Sequence, residues 1–172
     1  ISFYNLVEVY GKEVFAEVFI PYKVLKNFNV NPYELNEYYK TVLSVCTYSY
    51  MIGINAHVAN LIAGIFTACG QDIAHVINSS VGISTCKICE GKEKVYLTLY
   101  LPNLLVGTVG GGTSLETQKE CLSLLGCYGE NKSEKFSEII CGAALAGELG
   151  IAVSLLKGVF TKNLKKLRNV KS

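Results

Sequence analysis

The feature that most restricts how this chain can fold is a long apolar run, Ile139 to Leu156, with one carboxylate at its centre. The run approaches the roughly 20 residues that a membrane-spanning helix needs. However, Glu148 lies at its middle and Glu138 at its edge, and a carboxylate near the centre of a bilayer is costly. We therefore expect a buried core helix and no membrane-spanning segment.

The composition narrows the class of protein further. Of the 172 residues, 50% are hydrophobic and 17% are charged, against a usual charged share of about 25%. The 16 basic and 14 acidic side chains leave a net charge of only +2, which argues against a disordered tail, a coiled coil or a nucleic-acid partner. Such an apolar chain has more apolar surface than it can easily bury, so we expect a subunit interface.

Strand and helix patterns interleave along the chain without a regular repeat, which predicts an α+β fold: a mixed sheet of short strands packed against helices, with a long C-terminal helix. We interpret residues 1–172 as a single domain. The predicted strands are 1–10 and 13–20 (a hairpin around Gly11-Lys12), 83–88, and 94–101, closed by Pro102. The predicted helices are 33–45, 56–69, 114–125 and 133–167. Thr113 and Glu116 form a predicted capping box for the third helix, and Ser133 is the predicted cap of the fourth. The fourth helix also has small faces, where other backbones could approach closely, at Gly142, Gly147, Gly150 and Gly158.

Seven cysteines are scattered through apolar stretches without regular spacing, which indicates reduced, mostly buried thiols and a cytosolic setting. Cys86 and Cys89 form a CxxC pair, but positions three apart on a strand point to opposite faces. No second pair lies nearby, so we expect no metal site.

The chain begins at Ile1, within a predicted strand and without a recognisable targeting leader. We interpret it as a fragment or a processed product. An ordinary N-terminus without its initiator methionine is the alternative.

Asp72 is the only aspartate, and it follows the predicted helix 56–69 in the sequence Gly70-Gln71-Asp72. Two interpretations are open: a buried carboxylate with altered acidity, or the N-cap of the next helix. His57, Asn60, Gly64 and Ala68 share one face of the preceding helix. That stripe suits the wall of a ligand site, and a hydrogen-bonded histidine and asparagine in the core are the alternative.

The segment 107–113, Gly-Thr-Val-Gly-Gly-Gly-Thr, is the most distinctive local motif in the chain. Three consecutive glycines before a helix expose backbone N–H groups, which suits either a phosphate group or close packing of another backbone segment. The segment lacks the lysine of a Walker loop and the spacing of a dinucleotide-binding fingerprint.

Four stretches, in this order and at this spacing, resemble class I 3-hydroxy-3-methylglutaryl-coenzyme A reductases. They are Asn55-Ala56-His57-Val58-Ala59-Asn60, Ala68-Cys69-Gly70-Gln71-Asp72, 107–113, and Ala146-Gly147-Glu148-Leu149. The resemblance covers essentially the whole chain and implies the C-terminal, substrate-binding portion of the large catalytic domain. It also implies that the small NADPH-binding domain, the catalytic glutamate and the catalytic lysine are absent from this chain.

The resemblance implies a role for each matching residue. Asp72 would be the catalytic aspartate, whose negative charge tunes the lysine and glutamate around the reacting carbonyl. Lys40 would meet the substrate carboxylate beside His57 and Asn60. The cofactor and coenzyme A contacts would be Gln71, Val109, Gly110, Gly111, Phe28, Asn29 and Val30.

The chain also departs from the family pattern. Residues 48–54 are bulky where the family has a glycine-rich loop, so their side chains could fill space that the substrate uses. Leu164 occupies the position of the histidine that protonates the departing thiolate, and Val159 replaces a second histidine. Loss of a general acid costs a factor of ~10²–10⁴ in rate.

The resemblance implies NADPH-dependent reduction of 3-hydroxy-3-methylglutaryl-coenzyme A to mevalonate and coenzyme A, by a homodimer or homotetramer. The expected location is the cytoplasm, or the cytosolic part of a protein anchored in the endoplasmic reticulum. The departures leave two alternatives open: a non-catalytic homologue that binds, scaffolds or regulates, and an acyl-coenzyme A binder without hydride transfer.

Overall fold

The computed structural model describes residues 10–162 and residue 165, so residues 1–9 of the predicted strand 1–10 lie outside the described residues. The strands are β1 (Lys12–Pro21), β2 (Ile83–Cys89) and β3 (Lys94–Leu104). The helices are α1 (Tyr22–Asn27), α2 (Pro32–Tyr48), α3 (Val58–Ala68), α4 (Val76–Ser79), α5 (Glu116–Leu124) and α6 (Ser133–Leu156). Two 3₁₀ turns, Ile73–His75 and Gly111–Ser114, precede α4 and α5.

The three strands form one antiparallel sheet in the order β1-β3-β2. Phe15 pairs with Tyr100 on one side of β3, and Thr85 pairs with Thr98 on the other. Helix α6 packs against β1 and β3, and α2 packs against β2. The α+β prediction is confirmed, although the only parallel pairing found among the described residues is an isolated bridge between Ile54 and Ile83.

Strand β3 continues through Pro102, which was predicted to end it. Strand β2 pairs with β3 only as far as Tyr100, so Pro102 lies where β3 has a single neighbour. The register with β1 also shifts there, between Lys12 and Val14. A proline lacks a backbone N–H, and a sheet tolerates that loss at an edge or an irregularity.

Helix α6 is shorter than predicted. It ends at Leu156, and Gly158 then adopts a left-handed φ of 63°, a conformation that terminates helices. Ser133 lies in its first turn, with no side-chain cap on the helix. By length and composition alone α6 could cross a membrane, which is weak evidence because core helices pass the same test.

The core is one connected cluster of apolar side chains from the sheet and five of the helices. Leu97 and Leu99 of β3, Phe66 of α3 and Ile140 of α6 are fully buried within it. Burying a side chain of this size contributes about 1.5–3 kcal/mol. The core therefore holds α3 and α6 side by side, and this arrangement positions the segments described next.

Candidate active site

The turn after α3 carries Asp72. Gly70 adopts a left-handed φ of 67° and lets the chain reverse. Asp72 then caps the 3₁₀ turn, with its Oδ1 accepting a hydrogen bond from the backbone N–H of Ala74 at 2.9 Å. The N-cap interpretation is therefore confirmed. The buried-carboxylate interpretation is wrong for this chain, because the Asp72 side chain is 66% exposed.

The glycine loop packs directly against that turn. A Cβ atom on Gly70 would lie 2.3 Å from the carbonyl oxygen of Gly112, and one on Gly112 would lie 2.8 Å from the carbonyl oxygen of Gly70. Only two glycines can bring their backbones so close. By contrast, Gly110 and Gly111 have left-handed φ values of 77° and 52° and face open space. Of the three consecutive glycines, the loop therefore uses Gly112 for packing, while Gly110 and Gly111 form an open surface.

Gln71 connects the loop to the end of α3. Its Nε2 donates to the carbonyl oxygens of Gly107 and Cys69, both at 2.9 Å, and its Oε1 accepts from the Gly107 N–H at 2.8 Å. Both amide hydrogens are thus used by the backbone. The described contacts make Gln71 a brace for the loop, and its predicted contact with a cofactor stays a prediction.

The predicted capping box does not form. Helix α5 begins at Glu116 with Leu115 as its N-cap and without a side-chain cap. Thr113 is buried, and its hydroxyl donates to the Gly110 carbonyl at 2.6 Å. The 3₁₀ turn of the glycine loop moves the start of the helix by two residues, so Thr113 closes the loop instead of capping the helix.

The turn and the loop together line an open cleft of about 620 Å³. Asp72, Gln71, Val109, Gly110 and Gly111 all line it, so the structure brings these five predicted site residues together.

His75 also lines this cleft, and the sequence interpretation had assigned it no role. Its Nε2 lies 3.8 Å from Oδ2 of Asp72, with both side chains substantially exposed. The i,i+3 spacing of Asp72 and His75 in the sequence could have indicated this contact, since one 3₁₀ turn places such residues side by side.

A second group of predicted residues lies at the opposite end of α3. His57 is the N-cap residue of this helix and is half-buried. The Glu148 carboxylate of α6 accepts from the backbone N–H of His57 at 2.5 Å and from that of Ala56 at 3.0 and 3.1 Å. The Ser84 hydroxyl donates to the same carboxylate at 3.3 Å. Glu148 is 2% exposed, so a buried anion holds the start of α3.

Two tyrosines of α2 lie near this anion. Burial raises the pKa of Tyr39 above its ordinary value, and the charge of Glu148 raises it further. The same two causes raise the pKa of Tyr38. Within the described part of the chain, the buried Tyr39 hydroxyl has no hydrogen-bond partner. Both phenols therefore stay neutral at physiological pH.

The polar stripe of α3 faces outward. Asn60, Gly64 and Ala68 are exposed, and only His57 is half-buried. The alternative of a hydrogen-bonded histidine and asparagine in the core is therefore wrong for Asn60. The interpretation as the wall of a ligand site stays a prediction, since the stripe does not line the cleft of Asp72.

The remaining predicted contacts lie apart from that cleft. Lys40 is exposed on α2, pairs with Glu37 at 2.7 Å and lines two other clefts. Phe28 and Asn29 are exposed after α1. The side chain of Val30 is 4% exposed and belongs to the core, so it is not available for the predicted coenzyme A contact.

The bulky segment before α3 does not fill the cleft of Asp72. Tyr48 and Tyr50 are 84% and 94% exposed, and neither lines that cleft. Val159 is half-buried after α6. Leu164, the other departure from the family pattern, lies outside the described residues. The expected obstruction by these tyrosines is therefore wrong for the cleft that carries Asp72.

All seven cysteines are free. The described part of the chain contains no group of three or more histidine, cysteine, aspartate or glutamate side chains that could hold a metal ion. Cys86 is buried and Cys89 is partly exposed, and burial raises the pKa of Cys86 to about 12. Cys86 therefore behaves as a core thiol.

By fold and site, the chain is an α+β protein with an open cleft lined by a glycine loop and a carboxylate, the kind of concave surface that serves ligand binding. Residues 1–168 match the family model for hydroxymethylglutaryl-coenzyme A reductase. The chain belongs to that family of oxidoreductases.

Named relatives agree with this assignment. The chain is 42% identical to the 3-hydroxy-3-methylglutaryl-coenzyme A reductase of Methanocaldococcus jannaschii, over 95% of this chain and 40% of that protein. It is 40% identical to the Methanothermobacter thermautotrophicus reductase, over 90% of this chain and 39% of that protein. It is 35% identical to reductase 1 of Hevea brasiliensis, over 94% of this chain and 30% of that protein. The chain thus spans 30–40% of the length of these relatives.

Proposed function

We propose that this chain forms the C-terminal part of the catalytic region of an enzyme that reduces 3-hydroxy-3-methylglutaryl-coenzyme A to mevalonate with NADPH. The observation that supports the proposal most is the cleft shared by Asp72 and the glycine loop, because it joins two segments that are distant in sequence. Residues of the longer protein upstream of Ile1 would supply the catalytic lysine, the glutamate and the smaller nucleotide-binding domain.

The reaction needs two hydrides and two protons. A first hydride and a proton would convert the thioester carbonyl to a hemithioacetal, which then releases coenzyme A as its thiol and leaves an aldehyde. The second hydride and a proton convert that aldehyde to the alcohol. When bound, NADPH supplies the hydrides. The exposed Asp72 carboxylate would face the reacting carbonyl from the rim of the cleft, where its charge favours the protonated state of a neighbouring lysine.

The shape of the loop is compatible with the proposed nucleotide. Gly110 and Gly111 leave their backbone unobstructed by side chains, and a phosphate or ribose needs that close approach. Val109 is 60% exposed beside them and offers apolar surface. We assign the nucleotide contact to these three residues, held in place by Gln71.

The proposed substrate contacts lie on other elements. Lys40, His57 and Asn60 would bind the carboxylate end of the substrate, and Lys40 would exchange its exposed pairing with Glu37 for that carboxylate. Phe28 and Asn29 would contact coenzyme A. Upstream residues of the longer protein, or a second subunit, would have to bridge these positions to the cleft of Asp72.

We further propose that the protein assembles as a homodimer or homotetramer and acts in the cytoplasm, or as the cytosolic part of a protein anchored in the endoplasmic reticulum. Exposed apolar side chains at Val109 and Leu115 line the cleft, and Ile73 is exposed next to Asp72 in the sequence, which supports a covered surface there. Seven free thiols support a reducing compartment. Light scattering of the purified protein measures the assembly.

The decisive test replaces the matching segment of the Methanocaldococcus jannaschii reductase with this chain, so that the upstream part of that protein completes the site. The hybrid should oxidise NADPH in the presence of the thioester substrate. Asp72→Asn should lower that rate about 10²–10⁴-fold. Asparagine caps a helix as well as aspartate does, so the melting temperature should not change.

Glu120→Gln is the matched control, since it removes an exposed carboxylate of α5 outside the cleft. Its rate should equal that of the unmodified hybrid. Equal rates for Asp72→Asn and the unmodified hybrid would reject the role of Asp72. A folded hybrid without turnover would favour the non-catalytic alternative, or, if calorimetry still detects coenzyme A, binding without reduction.

A further inference from the structure

We propose that Gly147 and Glu148 of α6 are positioning residues that set both the location and the ring orientation of His57. The inference rests on the proposed function only for what His57 binds, because the positioning itself is visible in contacts within the chain. Glu148 holds the backbone of His57, and Gly147 provides the surface against which its imidazole lies.

The first part of the argument concerns the backbone. Glu148 is 2% exposed, and within the described residues its carboxylate accepts hydrogen bonds from the start of α3 and from β2. The N–H groups of Ala56 and His57 lie at a helix N-terminus, where backbone donors have no partner within the helix. The carboxylate satisfies them and complements the positive end of the helix dipole. A buried charge with so specific a set of donors fixes the position of this backbone.

The second part concerns the ring. A Cβ atom on Gly147 would lie 2.4 Å from Cδ2 and 3.0 Å from Nε2 of the His57 imidazole. No residue with a side chain fits there unless the ring moves. Two other glycines of the same helix, Gly142 and Gly150, face open space. The need for glycine at 147 is therefore set by the imidazole, independently of any general preference of α6 for small residues.

The two contacts act on consecutive residues of one rigid helix. The Glu148 carboxylate fixes where the backbone of His57 lies, and the bare Gly147 backbone fixes how the ring is turned. Helix α6 is in turn anchored by the core through Ala144 and Ala152, both fully buried. The orientation of the imidazole is thereby coupled to the position of α6.

Proton NMR of the chain tests the ring contact without reference to activity. The sequence contains only two histidines, so the signals of His57 are resolved with those of His75 as an internal reference. Gly147→Ala should shift the His57 ring signals and leave those of His75 unchanged. Gly150→Ala, the matched control, should leave both unchanged. Unchanged His57 signals in folded Gly147→Ala would overturn the ring contact.

Glu148→Gln tests the backbone contact and keeps the shape of the side chain. It removes the charge and turns one acceptor into a donor, so the amide hydrogens of Ala56 and His57 should exchange about ten- to a hundredfold faster. Amides of β3 should keep their exchange rates, which separates this local effect from general unfolding. Unchanged exchange at Ala56 and His57 would overturn the backbone contact, and this measurement decides the proposal if Gly147→Ala does not fold.

The active hybrid separates positioning from a purely structural role. Glu148→Gln should raise KM for the thioester substrate about tenfold with a smaller change in kcat, because His57 is assigned to substrate binding. An unchanged KM alongside altered exchange and ring signals would reject the proposed role of His57 and leave the positioning intact. An unchanged KM with unchanged NMR and exchange would reject the positioning itself.

Discussion

At the scale of single residues, the glycines of the cleft have separate physical roles. Gly70 and Gly112 bring two backbones together, whereas Gly107 is exposed and has no neighbour where its Cβ would lie. Neither Gly112 nor Gly107 has a left-handed φ, so alanine causes no backbone strain at either position and only the space for its methyl group matters. The pair therefore isolates the effect of the close approach from any effect of backbone strain.

We expect Gly112→Ala to destabilise the chain by about 1–3 kcal/mol, since the new methyl group would lie 2.8 Å from the Gly70 carbonyl oxygen and would push the loop away. Gly107→Ala should change the free energy of unfolding by less than about 0.5 kcal/mol. Urea titration followed by circular dichroism measures both. Equal stability of the two variants would contradict the packing role of Gly112.

At the scale of elements, α6 combines a buried face with glycines that the core does not need. Within the described part of the chain, no atom beyond the adjoining backbone lies within 4 Å of a Cβ added at Gly142, Gly150 or Gly158, so the close approach of another backbone at these positions stays a prediction. Glycine in a helix interior is less favourable than alanine because it loses more conformational freedom on folding. Alanine at the two interior positions, Gly142 and Gly150, would therefore reduce the conformational entropy that the helix loses on folding.

We expect Gly142→Ala and Gly150→Ala each to stabilise the chain by about 0.5–1 kcal/mol. The midpoint of urea unfolding should rise in each variant, and in the double variant by roughly the sum, because the two sites lie two turns apart. A fall in the midpoint would contradict the prediction and would indicate that a neighbouring subunit packs against that face.

At the scale of the whole molecule, the buried thiols make stability depend on pH. Burial raises the pKa of Cys86 to about 12 and those of Cys69 and Cys141 to about 11, in each case as the largest cause. The pKa of an unfolded cysteine is about 8.5. A folded pKa above the unfolded one means that the contribution to stability is complete below about pH 8.5 and is lost as the pH rises through the folded value.

The free energy of unfolding should accordingly fall as the pH is raised from about 8.5 towards 11. Cys86→Ala should show a shallower fall, because one shifted thiol is gone. Ser137→Ala, which alters a buried hydroxyl that does not ionise in this range, should keep the slope of the parent. Urea titrations at several pH values give these slopes, and identical slopes for Cys86→Ala and the parent would contradict the thiol explanation.

Several elements followed from local pattern alone. The helices near 33–45 and 56–69 and the strands 83–88 and 94–101 all occur, with boundaries that shift by a few residues. The capping box failed because Thr113 closes the glycine loop instead, and the packing of that loop against Gly70 cannot be seen in the local pattern. The prediction that Pro102 ends β3 was wrong because a strand can contain a proline where it lacks a second neighbour. That position depends on where β2 stops pairing with β3.

The sequence by itself determined the family, the α+β class and the helix that buries Glu148. These follow from periodicity and from motifs whose meaning depends on neighbours along the chain. Only the tertiary structure decided that Asp72 is exposed in this chain, that Gly112 packs while Gly110 and Gly111 stay open, and that Glu148 holds His57. Exposure and contact depend on which distant backbone lies alongside, and that depends on how the whole core packs.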